Sequence, residues 1–72
     1  MNAHLLREQF AAEMAAIFIL NQELKGAEKL RIFETEEFKR ILAAIRAVDR
    51  HAPKLTVLKF ILREYSDMLR HV

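Results

Sequence analysis

The residues that could carry out chemistry lie near the two ends of the chain. Glu64, Asp67 and His71 follow one another at steps of three and four residues, which places them on one face of a helix. His4 and Glu8 form a second pair at a four-residue step. Either group could contact a metal ion, but a structural site needs about four ligands, and helical di-iron sites use Glu-x-x-His pairs, which this sequence lacks. We interpret both groups as surface hydrogen-bonding partners.

Nucleophilic catalysis and phosphate binding lack their usual residues in this sequence. Ser66 is the only serine, cysteine does not occur, and one glycine is too few for a glycine-rich phosphate loop. Without cysteine the chain can form neither disulfides nor thiolate metal sites. We therefore predict that the protein is not an enzyme, requires no metal or cofactor and has no small-molecule substrate.

Basic residues are concentrated in the second half of the chain. Residues 1–37 contain four Lys/Arg and seven Asp/Glu, a net charge of −3, whereas residues 38–72 contain eight Lys/Arg and three Asp/Glu, a net charge of +5. Two basic rows at helical spacing could form a strip that follows phosphates. The candidate nucleic-acid contacts are Lys39, Arg46, Arg50, Lys59, Arg63 and Arg70. The alternative interpretation is a solvated outer face, because the side opposite an apolar stripe is usually charged.

The few turn-forming residues divide the chain into long helical segments. We predict helices over about residues 3–25, 36–50 and 54–71. Gly26 is expected to end the first helix, Thr35 to cap the second and Pro53 to open the third. Residues 27–34 are compatible with a strand, a helical turn or a connector, and we favour a connector or a short helix. The predicted fold class is all-α, one domain with a long N-terminal helix followed by a helical hairpin.

The second and third predicted helices each carry an amphipathic stripe. The stripe of the second helix consists of Phe38, Ile41, Leu42, Ile45 and Val48. The stripe of the third consists of Leu58, Ile61, Tyr65, Met68 and Val72, widened by Leu55, Leu62 and Leu69. These stripes predict that both helices turn one face toward a shared core.

The first predicted helix is apolar on more than one face. Its main stripe consists of Leu6, Phe10, Met14, Ile17, Leu20 and Leu24. A second stripe consists of Leu5, Ala12, Ala16 and Ile19. A helix that is apolar on several faces must be packed against other elements on several sides, and a chain of 72 residues has few other helices for this. We therefore predict a dimeric helical bundle in which the main stripes of two copies pack together.

Some large apolar residues lie off the principal stripes and are candidates for a surface that docks another protein. These residues are Phe18, Ile32, Phe33 and Phe60. The leading hypothesis is accordingly a non-catalytic homodimeric regulator or adaptor that acts by protein–protein interaction. The alternative is a dimeric nucleic-acid-binding regulator that uses the basic face of residues 38–72.

The sequence does not indicate a membrane segment. The longest uncharged run in the apolar helix, Met14 to Gln22, is far shorter than the roughly 20 residues that span a bilayer. Glu8 and Glu13 fall inside the region that a signal peptide would keep apolar. We therefore expect a cytoplasmic protein with no membrane partner.

Overall fold

A computed structural model describes residues 2–71, which form helices joined by short connections and contain no β-strand. α1 spans Ala3–Glu23, a 3-10 helix spans Gly26–Glu34, α2 spans Glu36–Arg46 and α3 spans Lys54–Arg70. The predicted all-α fold class is confirmed, and the region predicted as a connector or short helix is the 3-10 helix. Val72, the last residue of the predicted third stripe, lies outside the described residues.

Capping groups fix both ends of α1. The Asn2 side chain accepts a hydrogen bond from the backbone N–H of His4 at 3.0 Å, and the N–H of Leu24 closes the last turn. Gly26 follows with a φ of 57°, the left-handed conformation that glycine adopts without strain. Phe10 interrupts the helix with non-helical dihedral angles. Neither α1 nor any other helix within residues 2–71 is long and apolar enough to cross a membrane.

The main stripe of α1 is covered by the chain itself. Its buried members, each at most 9% exposed, are Leu6, Phe10, Met14 and Ile17. Leu20 and Leu24 are half-buried against the same core. The cover comes chiefly from α3, then from α2 and the 3-10 helix. The expectation that a second copy must cover this stripe is therefore wrong, because the rest of the chain folds over it.

Thr35 joins the 3-10 helix to α2. Its hydroxyl donates to the carbonyl oxygen of Ile32 at 2.7 Å and accepts the backbone N–H of Phe38 at 3.2 Å. The predicted N-cap is thus confirmed, and it also closes the preceding helix. The core-facing residues of α2 are Phe38, Ile41, Leu42 and Ile45.

The connection between α2 and α3 is longer than predicted and is held by Arg46. The Nε and Nη2 atoms of Arg46 donate to the carbonyl oxygen of Ala52 at 3.1 and 2.9 Å. α2 ends at Arg46, not near residue 50, because the chain turns there, with the backbone N–H groups of Val48 and Asp49 both donating to the carbonyl oxygen of Ile45. Val48, predicted on the stripe of α2, therefore lies in the connection and is exposed.

The face of α3 that packs against the core is rotated relative to the predicted face. Its buried residues are Val57, Leu58, Ile61 and Glu64. Leu55 and Leu69, predicted to widen the stripe, are about half exposed. Tyr65 and Met68 are only partly buried. The buried face includes a carboxylate because Arg7 of α1 meets it there, with Nη2 2.8 Å from Oε1 of Glu64.

Candidate functional site

Four of the five titratable groups singled out near the two ends of the chain pair with other side chains, and the fifth, His71, is exposed. His4 and Glu8 form an exposed pair with Nε2 and Oε1 2.9 Å apart, consistent with the expected surface contact. Glu64 is buried, not at the surface, and its Oε1 atom accepts a hydrogen bond from Nε of Arg7 at 2.9 Å and lies 2.8 Å from Nη2 of the same guanidinium. Asp67 lies 3.8 Å from the same guanidinium. Across residues 2–71 no three His, Cys, Asp or Glu side chains gather closely enough to hold a metal ion.

The six predicted nucleic-acid contacts do not share one environment. Arg46 is held by the carbonyl oxygen of Ala52, so its guanidinium stabilises the fold. Lys39 lies 3.8 Å from Glu36, and Arg70 lies 3.7 Å from Asp67. The remaining three, which are all exposed, are Arg50, Lys59 and Arg63. Arg50 lies in the connection after α2, so the basic row predicted along that helix is shorter than expected.

The four predicted docking residues also lie in different environments. Ile32 is fully buried and is not available to a partner, because the turn of the 3-10 helix points it into the core. Phe18 is half-buried and packs on Tyr65, with ring centroids 5.1 Å apart. Phe60 is half-buried beside a cavity of about 220 Å³ at the corner between α2 and α3. Phe33 is half-buried and lines a larger groove.

This larger groove, the leucine groove, has a volume of about 410 Å³ and lies where α1, the 3-10 helix and α3 meet. Its lining residues are Asn21, Lys29, Leu30, Phe33, Leu55, Leu58, Lys59 and Leu62. Leu30 and Leu55, from different elements, are 63% and 54% exposed. Leu58 is buried. The groove is thus an apolar concavity whose polar lining groups are one amide and two ammonium groups.

The 3-10 helix positions one wall of this groove. A 3-10 helix has three residues per turn, so side chains three positions apart lie above one another. Leu30 and Phe33 form one such line and both reach the groove. Lys29 and Ile32 form a second line, of which Ile32 enters the core. The third line is charged and exposed, and it consists of Glu28, Arg31 and Glu34.

Contacts to the core fix this wall in place. The ring of Phe33 packs on the fully buried Phe38, with centroids 5.1 Å apart. The ammonium of Lys29 lies 3.3 Å from the Oδ1 atom of Asn21 on α1. Thr35 ties the end of the helix to the first turn of α2. The groove is therefore preformed, which lowers the entropic cost of binding a partner.

The sequence missed the leucine groove but carried a signal for it. The stripe of the third predicted helix places Leu55 in the core, and Leu30 lies in the segment predicted as a connector or a short helix. Residues 26–34 contain a period of three, with charge at positions 28, 31 and 34 and apolar residues at positions 27, 30 and 33. That period fits a 3-10 helix with one apolar and one charged line.

The outer face of α1 is a second apolar surface. Leu5 and Ile19 are 57% and 53% exposed. Ala12 and Ala16 lie between them and are also exposed. A cavity of about 320 Å³ adjoins this face, between the C-terminal half of α1 and the start of α2. The second stripe seen in the sequence is thus the face of α1 that the chain leaves open.

Neither a family model, nor a curated protein, nor a solved structure matches this chain.

Proposed function

We propose that this protein is a small non-catalytic adaptor or regulator that acts by binding another protein. The leucine groove carries the proposal, because two large apolar side chains from separate helices, Leu30 and Leu55, stay more than half exposed along one concavity. Single exposed leucines are ordinary, but apolar residues gathered around a concave surface are typical of sites that bury part of a partner.

Affinity capture tests the proposal. The tagged full chain is incubated with nuclease-treated native lysate, alongside the variants Leu55→Ser and Leu69→Ser. Leu69 is the matched control, because it is the same residue type on the same helix, is 50% exposed and does not line the groove. We expect the wild type and Leu69→Ser to retain the same proteins and Leu55→Ser to lose them. Equal retention by the wild type and both variants would contradict the proposal.

The proposal includes self-association. The contact between copies is the outer face of α1 and not its main stripe, which is buried within the chain. Leu5 and Ile19 support it, because both are exposed and the alanines between them allow another helix to approach closely. Ile19 follows the interruption of α1 at Phe10, on the same helical segment as Ala12 and Ala16, and is therefore the residue that we place in this contact. Light scattering behind gel filtration should then give a dimer mass for the wild type and a monomer mass for Ile19→Asp. A wild-type monomer at micromolar concentration would exclude the dimer.

The alternative function is nucleic-acid binding, for which the exposed pair Lys59 and Arg63 on one side of α3 is the supporting observation. Binding to phosphates would weaken steeply with salt because counterions are released. A mobility-shift titration with the double variant Lys59→Glu/Arg63→Glu tests it. Unchanged binding in that variant, or capture that survives nuclease, would remove this alternative.

A further inference from the structure

We infer that the leucine groove receives an amphipathic helix of a partner protein, in which glutamate or aspartate residues flank the apolar contact residues. The inference rests on the proposed protein-binding function and specifies its partner. Three features of the groove lead to it, namely its walls, its length and the sign of its charge.

The walls favour a helix over an extended segment. Both are helices, whose backbone groups are mostly satisfied by their own turns, so they offer no row of free N–H and C=O groups to a bound strand. Recognition must therefore come from side chains. The apolar side chains along the groove, among them Leu30, Phe33 and Leu55, suit the apolar face of a helix laid between them.

The length of the groove sets the size of the contact. Its α3 wall runs from Leu55 to Leu62, a rise of about 10 Å at about 1.5 Å per residue. A bound helix covers that distance in about two turns. Its contact residues should therefore occupy positions i, i+3 or i+4, and i+7, which share one helix face.

The charge of the groove selects the flanking residues of the partner. Lys29 and Lys59 are the charged members of its lining, which contains no acidic residue. Glu28, the acidic neighbour of Lys29, belongs to the charged line of the 3-10 helix, and its carboxylate accepts the backbone N–H of Lys25 at 3.3 Å. Ammonium groups at the edge of an apolar groove attract carboxylates that border an apolar helix face.

Binding of designed peptides to the full chain tests the inference by fluorescence anisotropy. The acidic probe is a labelled helical peptide of about four turns with leucines at i, i+3, i+4 and i+7 and glutamates at the flanks. The matched probe keeps the leucines and replaces every flanking glutamate by lysine. We expect the acidic probe to bind at least about 10-fold more tightly at low salt, and this preference to shrink to a few-fold at high salt.

Two substitutions in the groove should change this binding in different ways. The variant Leu55→Ser should weaken both probes by at least about 10-fold, since an apolar contact is lost. The variant Lys59→Glu should weaken the acidic probe by about 3- to 10-fold and strengthen the basic probe. Leu69→Ser and Lys39→Glu are the matched controls and should bind as the wild type does. Circular dichroism verifies that each variant remains folded.

The outcomes separate this inference from the proposed function. If the basic probe binds as well as the acidic one, or if Lys59→Glu changes nothing, the acidic partner is wrong. If neither probe binds while protein capture still depends on Leu55, the helical occupant is wrong although the protein-binding function stands. Displacement of the acidic probe by duplex DNA, or a change in the mass of the unliganded protein in Leu55→Ser, would also overturn the inference, in favour of nucleic acid or a second copy.

Discussion

The two faces of α1 carry similar apolar residues and end in opposite environments. On the inner face Met14 and Ile17 are almost completely buried by other elements of the same chain. On the outer face Leu5 and Ile19 are more than half exposed. The apolar content of a helix therefore does not tell how many copies are needed to cover it. That depends on long-range contacts, which decide which face the remaining helices reach.

Replacing one isoleucine on each face by aspartate should give the largest contrast in the free energy of unfolding. Ile17→Asp places a carboxylate in the core without a partner, which should cost more than about 4 kcal/mol. A domain this small is rarely stable by more than about 3 to 5 kcal/mol, so the variant should be unfolded at every concentration. Ile19→Asp, two residues further along, should lose less than about 1 kcal/mol. Urea unfolding followed by circular dichroism measures both changes.

The concentration dependence of these variants is part of the same test. If Ile17→Asp regains its helical signal at high protein concentration, the inner face is an interface between copies and the intramolecular core is wrong. If Ile19→Asp unfolds as completely as Ile17→Asp, the two faces are not distinct.

The helices and their caps could be predicted from the sequence because the signals are local. Thr35 acts within a few residues of its own position and caps α2 as predicted. Gly26 has the predicted left-handed conformation, but it opens the 3-10 helix, because Leu24 already closes α1. The predicted starts of α1, α2 and α3 match the structure. The predicted ends are less accurate, with α2 four residues too long, because the apolar period continues to Val48, beyond the end of the helix at Arg46.

The core and the candidate groove could not be predicted in the same way, because they depend on contacts between distant residues. Arg7 and Glu64 are separated by 57 positions, so nothing near either residue indicates the pair. The leucine groove likewise needs Leu30 and Leu55 to lie along one concavity. The local period of three marks one wall, but only the folded chain brings α3 beside it.

The ion pair between Arg7 and Glu64 gives the next largest expected effect. It is the charged contact on the otherwise apolar buried face of α3, and Arg7→Met would leave the carboxylate buried without its partner. We expect a loss of about 3 kcal/mol in the free energy of unfolding. The double variant Arg7→Met/Glu64→Met should recover most of that loss, because no buried charge remains.

A double-mutant cycle by urea unfolding measures this coupling at neutral pH. Arg70→Met is the matched control, because Arg70 is more exposed and pairs with Asp67 at 3.7 Å. Its cost should be less than about 1 kcal/mol. Equal costs for Arg7→Met and Arg70→Met would mean that burial does not distinguish the two arginines.

Substitution of Arg46 should cause a smaller loss of stability. It tests whether this basic residue holds the connection or belongs to an exposed basic strip. Its guanidinium donates two hydrogen bonds to the Ala52 carbonyl, so Arg46→Ala should reduce stability by about 1.5 kcal/mol. Arg46→Lys should recover only part of this, because an ammonium cannot reproduce the planar fork. Arg50→Ala, in the exposed connection, should be nearly neutral. If thermal unfolding shows the same melting temperature for all three, Arg46 does not hold the connection.

The smallest expected effect on stability belongs to the groove, and it separates the apolar residues that stabilise the fold from those proposed to bind a partner. Leu30 is 63% exposed, so Leu30→Ser removes little buried area and should lower the free energy of unfolding by less than about 1 kcal/mol. Its neighbour Ile32 is fully buried on another line of the same 3-10 helix, and Ile32→Ser should cost several times more. If Leu30→Ser costs more stability than Ile32→Ser, the 3-10 helix is turned differently and Leu30 belongs to the core. If Ile32→Ser costs more than Leu30→Ser, loss of partner binding in Leu30→Ser cannot be attributed to unfolding, because the Leu30 side chain contributes little to the stability of the fold.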